Sequence, residues 1–391
     1  MIYLDHHATT PVDPRVLEAM LPWFSQKFGN PGSINHALGR EAAEAVEQAR
    51  HTIATALGAN QREIVFTSGA TESNNLALRG VCDREERGSR RHIVSVKTEH
   101  KAVLDPLARL ARRGFDVTLL DVTPAGSPEA GLLDVQRLVD ALRPDTLLVS
   151  VMLANNEIGV IQPLAEIGAI CHQRGILLHC DATQAVGKRP VDVNHLQVDL
   201  LSFSAHKLYG PKGVGGLYVR RSGPRVTLAP QIDGGGQEGG RRSGTLNPPG
   251  IIGLATALEI ACAERDEENA RLAQLRARLW QQLSQLPGVH LNGPALDHPE
   301  LRLAGNLNVS FEGVDGEALM MGITDVAVSS GSACTTANPE PSHVLRALGL
   351  PDRLVRASLR FGLGRFNTAD EIDAAAAHVI EVVQRLRSLR S

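Results

Sequence analysis

Short apolar runs alternate with longer stretches of helical spacing through the first half of the chain. Ile64 to Thr67, Ile93 to Val96, Val117 to Leu120, Leu147 to Met152, Ile176 to Cys180 and Asp199 to Phe203 read as buried strands, with helix-like segments between most of them. That alternation predicts an α/β fold: a mainly parallel sheet with helices on both faces. In such sheets ligands collect beyond the carboxyl ends of the strands, and several polar groups fall there. Upstream, Ile2 to Leu4 reads as a short strand and Asp5 to Pro11 as turn chemistry. A helix is expected from about Pro14 to Lys27, then a glycine and proline loop, Phe28 to Ser33. Ala43, Val46, Ala49, Ile53 and Leu57 mark a second helix that ends at Gly58. After Pro248-Pro249-Gly250 the texture changes. A long helical region from about Ile251 to Leu286, polar in its middle, reads as a connector between domains. Strands at Asn306 to Phe311 and Val326 to Ser329, with helices around Ser342 to Leu348 and Ala369 to Leu389, complete a smaller α+β unit.

Composition narrows the classes. At 391 residues, 43% hydrophobic and 21% charged, with a net charge of -3, the chain is an ordinary globular protein of two domains, without the basic excess that nucleic acid would ask for. No run approaches the roughly 18 apolar residues of a membrane span, and Met1 leads straight into Ile2-Tyr3-Leu4-Asp5, so a cytoplasmic protein is expected. Cys82, Cys171, Cys180, Cys262 and Cys334 are scattered with no C-x-x-C pair, which argues against disulfide and zinc frameworks. The adjacent His6 and His7 point to opposite faces of an extended chain and are not expected to bind metal.

Candidate chemistry sits at the strand ends. Lys207, in Ser204-Ala205-His206-Lys207, closes a buried run; held partly desolvated, its amine would lose proton affinity and could form a Schiff base with an aldehyde such as pyridoxal phosphate. Ser204 and His206 would then face the phosphate. Ala70 and Thr71, after Thr67-Ser68-Gly69, begin a helix whose free amides suit an anion. Asp181, at the end of a strand, needs a cationic partner, and a protonated pyridine nitrogen is one. Gln184 and Asn156 could reach a ring hydroxyl, and His100 could lie on the ring while moving protons near neutral pH. Arg360 is a natural fork for a carboxylate. Cys334 lies in a small-residue loop expected to be exposed and mobile, where an unpaired thiol is reactive. Each has a plainer reading: a solvated lysine, an ordinary turn, a capping aspartate, a structural histidine, a surface arginine.

Taken together, Thr67 to Asn74, Asp181-Ala182-Thr183-Gln184, Ser204-Ala205-His206-Lys207, Arg242-Ser243-Gly244-Thr245 and Ser329 to Cys334 resemble the NifS/IscS cysteine desulfurases, and the likeness runs from Tyr3-Leu4-Asp5 to Gly364-Arg365-Phe366. The resemblance implies a fold type I pyridoxal phosphate (PLP) enzyme, with residues 13 to 257 as a large cofactor-binding domain and residues 1 to 12 and 258 to 391 as a small domain carrying the cysteine loop. It implies a homodimer that converts L-cysteine to L-alanine and leaves the sulfur as a persulfide on Cys334, for iron-sulfur cluster assembly and other acceptors. Lys207 would hold PLP, Asp181 would pair with its ring nitrogen, and His100 would stack on the ring. Asn156 and Gln184 would contact the cofactor. Thr71, Ser204 and His206 would hold the phosphate, joined by Thr245 from the other subunit. Arg360, helped by Asn156, would bind the substrate carboxylate. No resident metal is implied, Cys334 being the one position where an iron-sulfur unit would be held in transit. The long loop around Cys334 is similar to the branch that serves a scaffold protein. Ala205 stands where relatives often have Gly, and the chain stops at Ser391 without the extension that docks the scaffold in some of them. A PLP aminotransferase or a serine-metabolising relative on the same fold would need no mobile thiol such as Cys334, and Lys207 with Asp181 speaks against a regulatory or scaffold protein that has kept the fold without turnover.

Overall fold

The structure, a computed structural model, describes residues 1–85, 88–223, 225–330 and 341–389. Its strands are β1 (Ile2–Tyr3), β2 (Ile64–Thr67), β3 (His92–Val96), β4 (Asp116–Leu120), β5 (Thr146–Ser150), β6 (Leu177–Asp181), β7 (Leu200–Ser204), β8 (Gly215–Val219), β9 (Val289–Leu291), β10 (Asn306–Phe311), β11 (Val326–Ala327) and β12 (Ser358–Gly362). A seven-stranded sheet runs in the order β2-β8-β7-β6-β5-β3-β4. Its members from β7 through β4 pair in parallel, while β8 pairs antiparallel with both β7 and β2. The mainly parallel sheet expected from the alternating pattern is therefore present, and its strands β3, β5 and β7 are buried along their whole length.

Four details differ from the sequence reading. The helix expected over Pro14 to Lys27 is two pieces, Pro14–Met20 and Pro22–Ser25, because Pro22 has no amide to continue the first ladder. The strand β8 was not expected: Gly215-Gly216 blurs the apolar run, yet a side chain at Gly216 would overlap the ring of Phe203, so close packing demands glycine there. Likewise β12 was hidden, since a charged residue interrupts Leu359-Arg360-Phe361. The short β9 was also missed.

A 36-residue helix, Pro248–Leu283, links two apolar cores. Ile251, Leu254 and Leu258 pack with the large-sheet core, whereas Leu272, Leu275, Leu279 and Leu283 pack with the core built on β10 and β12. The second core carries an antiparallel sheet in the order β12-β10-β9 and the small parallel pair of β1 with β11. A bridge from Asp5 to Gly362 lays the N-terminal segment alongside β12, and one from Ser329 to Arg360 ties the segment after β11 to the same strand.

Candidate active site

The carboxyl ends of β2, β3, β5, β6 and β7 open onto one cavity of about 510 Å³. Ala70, Thr71, His100, Asn156, Asp181, Gln184, Ser204, His206, Lys207 and Arg360 all line it. Of the expected residues, Thr245 is exposed and lines a different cleft, beside the buried ion pair of Arg50 and Glu238 at 2.7 Å. Cys334 lies outside the described residues.

Lys207 sits in a turn directly after β7, and its Nζ donates to the carbonyls of His7 at 2.7 Å and Ala8 at 2.6 Å. Asp181 is the last residue of β6 and is buried. Its Oδ2 accepts from Asn74 Nδ2 at 2.8 Å and its Oδ1 from the Thr183 amide at 3.0 Å. Asn74 comes from the buried face of the helix Ala70–Arg84, which starts at Gly69 without a side-chain cap. Gly69 has φ 149°, a conformation open to glycine but not to other residues.

Around the anion-seeking end of the cavity the charge is positive. His206 is pushed down to about 4 by burial and by Lys207, Lys212 and Lys188. A neutral imidazole among three lysines marks a place where negative charge is welcome. His100 caps the helix Lys101–Arg112 through Nδ1, which accepts the Ala102 amide at 3.0 Å, so its proton lies on Nε2. Burial, only partly offset by Asp181, holds its pKa below the ordinary value, so the imidazole is neutral at pH 7. His100 thus presents a neutral ring whose one donor is Nε2–H.

Arg360 is no surface arginine, being 1% exposed. Its Nη2 meets Asp5 Oδ1 at 2.8 Å and its Nη1 donates to the Asn156 carbonyl at 3.1 Å, while Nε is buried without a partner among the described residues. Gln184 is engaged on both sides. Its Nε2 donates to the His7 carbonyl at 2.8 Å, and its Oε1 accepts from Lys188 Nζ at 2.8 Å and lies 3.1 Å from His7 Nδ1.

Sequence reasoning overlooked Asp5, His7, Asn74, Glu99, Glu157 and Lys188. Glu99, fully buried, accepts the Met152 amide at 2.6 Å, and burial with the nearby Asp181 raises its carboxyl well above the ordinary range. Glu157 follows Asn156, accepts the Ser342 hydroxyl at 2.5 Å, and is raised to about 7 by burial. Asn74 and Asp5 stood within the motifs already singled out, so a search for polar residues at helical spacing behind Asp181 could have found the first. Among the described residues no cluster of histidine, cysteine or acidic side chains could hold a metal ion, and no helix is long and apolar enough to cross a membrane.

Comparison with known proteins agrees with this geometry. The family model described as aminotransferase class-V matches residues 2–375. The cysteine desulfurase IscS of Anaeromyxobacter dehalogenans (strain 2CP-C) is 56% identical over 390 residues, covering 99% of this chain and 94% of that protein. The cysteine desulfurase IscS of Rickettsia akari (strain Hartford) is 50% identical over 389 residues, covering 99% and 92%. Among solved structures, a NifS-like protein superposes with a TM-score of 0.89 at 39% identity, covering 98% of this chain and 100% of that one. A structure described as SspA in complex with cysteine gives 0.80 at 36% identity, covering 94% and 100%. This chain belongs to the aminotransferase class-V family, among the relatives named as cysteine desulfurases.

Proposed function

We propose that the protein is a PLP-dependent cysteine desulfurase that turns L-cysteine into L-alanine and leaves the sulfur on Cys334 as a persulfide. One observation carries the reading: the amine of Lys207, the buried carboxylate of Asp181, the uncapped start of the helix Ala70–Arg84 and the buried guanidinium of Arg360 converge on a single cavity from separate elements. The residues fit the cofactor. His206 among Lys207, Lys212 and Lys188 calls for an anion such as the phosphate, and Thr183 Oγ1 and Asn74 Oδ1 are buried polar atoms without partners beside Asp181.

Lys207 would hold PLP, Asp181 would face its ring nitrogen, and Thr71, Ser204 and His206 would take its phosphate. When bound, PLP supplies a sink for the electrons released as a bond to the substrate Cα breaks. The rest falls to this chain. Asn74 and the Thr183 amide hold the Asp181 carboxylate in orientation. Arg360 takes the substrate carboxylate, a role in keeping with its grip on Asp5. Lys207, as an amine, removes the Cα proton. The Cys334 thiolate attacks the substrate sulfur: an S–S bond forms as the C–S bond breaks. A homodimer with Thr245 of one protomer reaching its partner's site, delivery to an iron-sulfur scaffold or another acceptor, and a cytoplasmic setting belong to the same reading. The free thiols Cys82, Cys171, Cys180 and Cys262 support a reducing compartment.

The test is production of alanine and sulfide from L-cysteine with a reducing thiol present. In Lys207→Ala the absorption of bound cofactor and the alanine should both disappear; turnover persisting in that variant overturns the assignment.

A further inference from the structure

A second, smaller pocket of about 30 Å³, room for a water molecule or two, shares His7 and Lys207 with the site cavity. Lys188 and Lys207 both line it. Lys188 arrives there because Gly187, at φ 80°, turns the chain after β6 and packs against Ala261 and Leu208 too tightly for a side chain, while Asn269 Nδ2 fixes the Lys188 carbonyl at 2.8 Å. Its Nζ donates to Gln184 Oε1 at 2.8 Å. The Gln184 amide then donates to the His7 carbonyl at 2.8 Å, the same oxygen that accepts from Lys207 at 2.7 Å. A continuous hydrogen-bonded path thus joins the two amines. Among the described residues Lys188 makes no salt bridge, so its charge is met by an amide oxygen rather than a carboxylate.

We propose that Lys188 is a positioning residue for Lys207: through Gln184 and the His7 carbonyl it fixes where the Lys207 nitrogen rests, and as a second cation on the same pocket it keeps that nitrogen from holding a proton. The inference rests on the proposed role of Lys207 as the cofactor-bearing lysine. Like charges sharing a poorly solvated space disfavour double protonation, and an amine with less affinity for its proton is the better nucleophile and base.

The surrounding groups leave this effect in place. Glu268 faces Lys188 from the long helix and attracts it, but it is also engaged by Arg365 at 2.9 Å. Arg365 and Arg360 have their own carboxylates, Asp13 at 2.7 Å and Asp5 at 2.8 Å, and Arg265 pairs with Asp266 at 3.2 Å. His6 and His7, from the N-terminal segment, are held below their ordinary pKa by burial, and Tyr209 is raised above its own. On the site side Lys207 shares the cavity with Asp181, His100, His206 and Lys212. Burial first, and Lys207 second, bring Lys188 itself down to about 7, as a pair competing for protons should behave.

The experiment titrates the holoenzyme without substrate, following the absorption of the bound cofactor, whose change with pH reads the proton on the Lys207 nitrogen. Lys188→Met should move the midpoint upward by about one pH unit, the size expected for losing a neighbouring charge. Lys188→Arg, which keeps the charge, should leave it near the wild-type value. A residue that merely filled space would shift melting temperature but not this midpoint. Identical midpoints in wild type and Lys188→Met overturn the proposal, as does a downward shift; should the methionine variant not fold, Lys188→Gln makes the same comparison. Absence of any cofactor absorption in the wild type would instead defeat the assignment of Lys207.

Discussion

Replacing Glu157 by glutamine should change the pH dependence of stability, by an amount that follows from its burial. Its carboxyl is raised from an ordinary 4.5 to about 7 because desolvation outweighs the help of Ser342 and Arg360. A shift of that size costs the ionised form about 3 kcal/mol, at about 1.4 kcal/mol per pH unit. The sign follows from proton counting: between 4.5 and about 7 the folded state holds a proton that the unfolded chain has released. Stability is therefore highest below the unfolded value, declines through that window, and has lost the full amount above it. Glu157→Gln keeps the size and removes the titration. Urea unfolding at intervals from about pH 5 to about pH 8.5 should show the variant gaining on the wild type by up to about 3 kcal/mol as pH rises. A difference that stays constant over that range would refute the reasoning. The effect bears on the site, since the Ser342 hydroxyl that Glu157 accepts also caps the helix His343–Ala347, and the neighbouring Asn156 carbonyl holds Arg360.

Cys334→Ser should still bind cofactor and L-cysteine but make no alanine, because a serine hydroxyl cannot carry a transferable persulfide; after a short cysteine pulse, mass spectrometry should find added sulfur on the Cys334 peptide of the wild type alone. Sulfur appearing first on Cys82, Cys171, Cys180 or Cys262 would contradict this. Asn74→Ala removes the 2.8 Å bond to Asp181 Oδ2 and should slow alanine formation about tenfold, the effect of losing a hydrogen bond to a charged group of roughly 1.5 kcal/mol; an unchanged rate would make Asn74 a core residue only.

What was legible in the sequence was whatever sat at the end of an apolar run. Asp181, Ser204, His206 and Lys207 each follow several residues of buried strand, and the change from apolar to polar announces both the strand and its end. Less visible was anything whose meaning depends on a distant partner. Asp5 reads as turn chemistry until Arg360, 355 residues away, is seen to hold it. The strand β12 was concealed by the same arginine, because a buried charge breaks the pattern that buried strands are recognised by. Lys188 reads as a loop lysine for a similar reason: only the fold sets it on a pocket shared with Lys207.

The Asp5 and Arg360 pair also bears on how a carboxylate would be received. Burying a guanidinium costs several kcal/mol, and here the fold has already met that cost with Asp5 and the Asn156 carbonyl. An incoming amino acid therefore does not have to strip water from Arg360. It would meet a cation fixed in direction by two bonds, with Nε buried and, among the described residues, without a partner. The backbone that carries it is held by β10 on one side and by the bridge to the N-terminal segment on the other, and the guanidinium itself by Asp5 and the Asn156 carbonyl. If Arg360 takes the substrate carboxylate as proposed, selectivity for it would reside in the pairing of two chain segments from opposite ends of the sequence, and preorganisation of this kind favours correct orientation over tight binding.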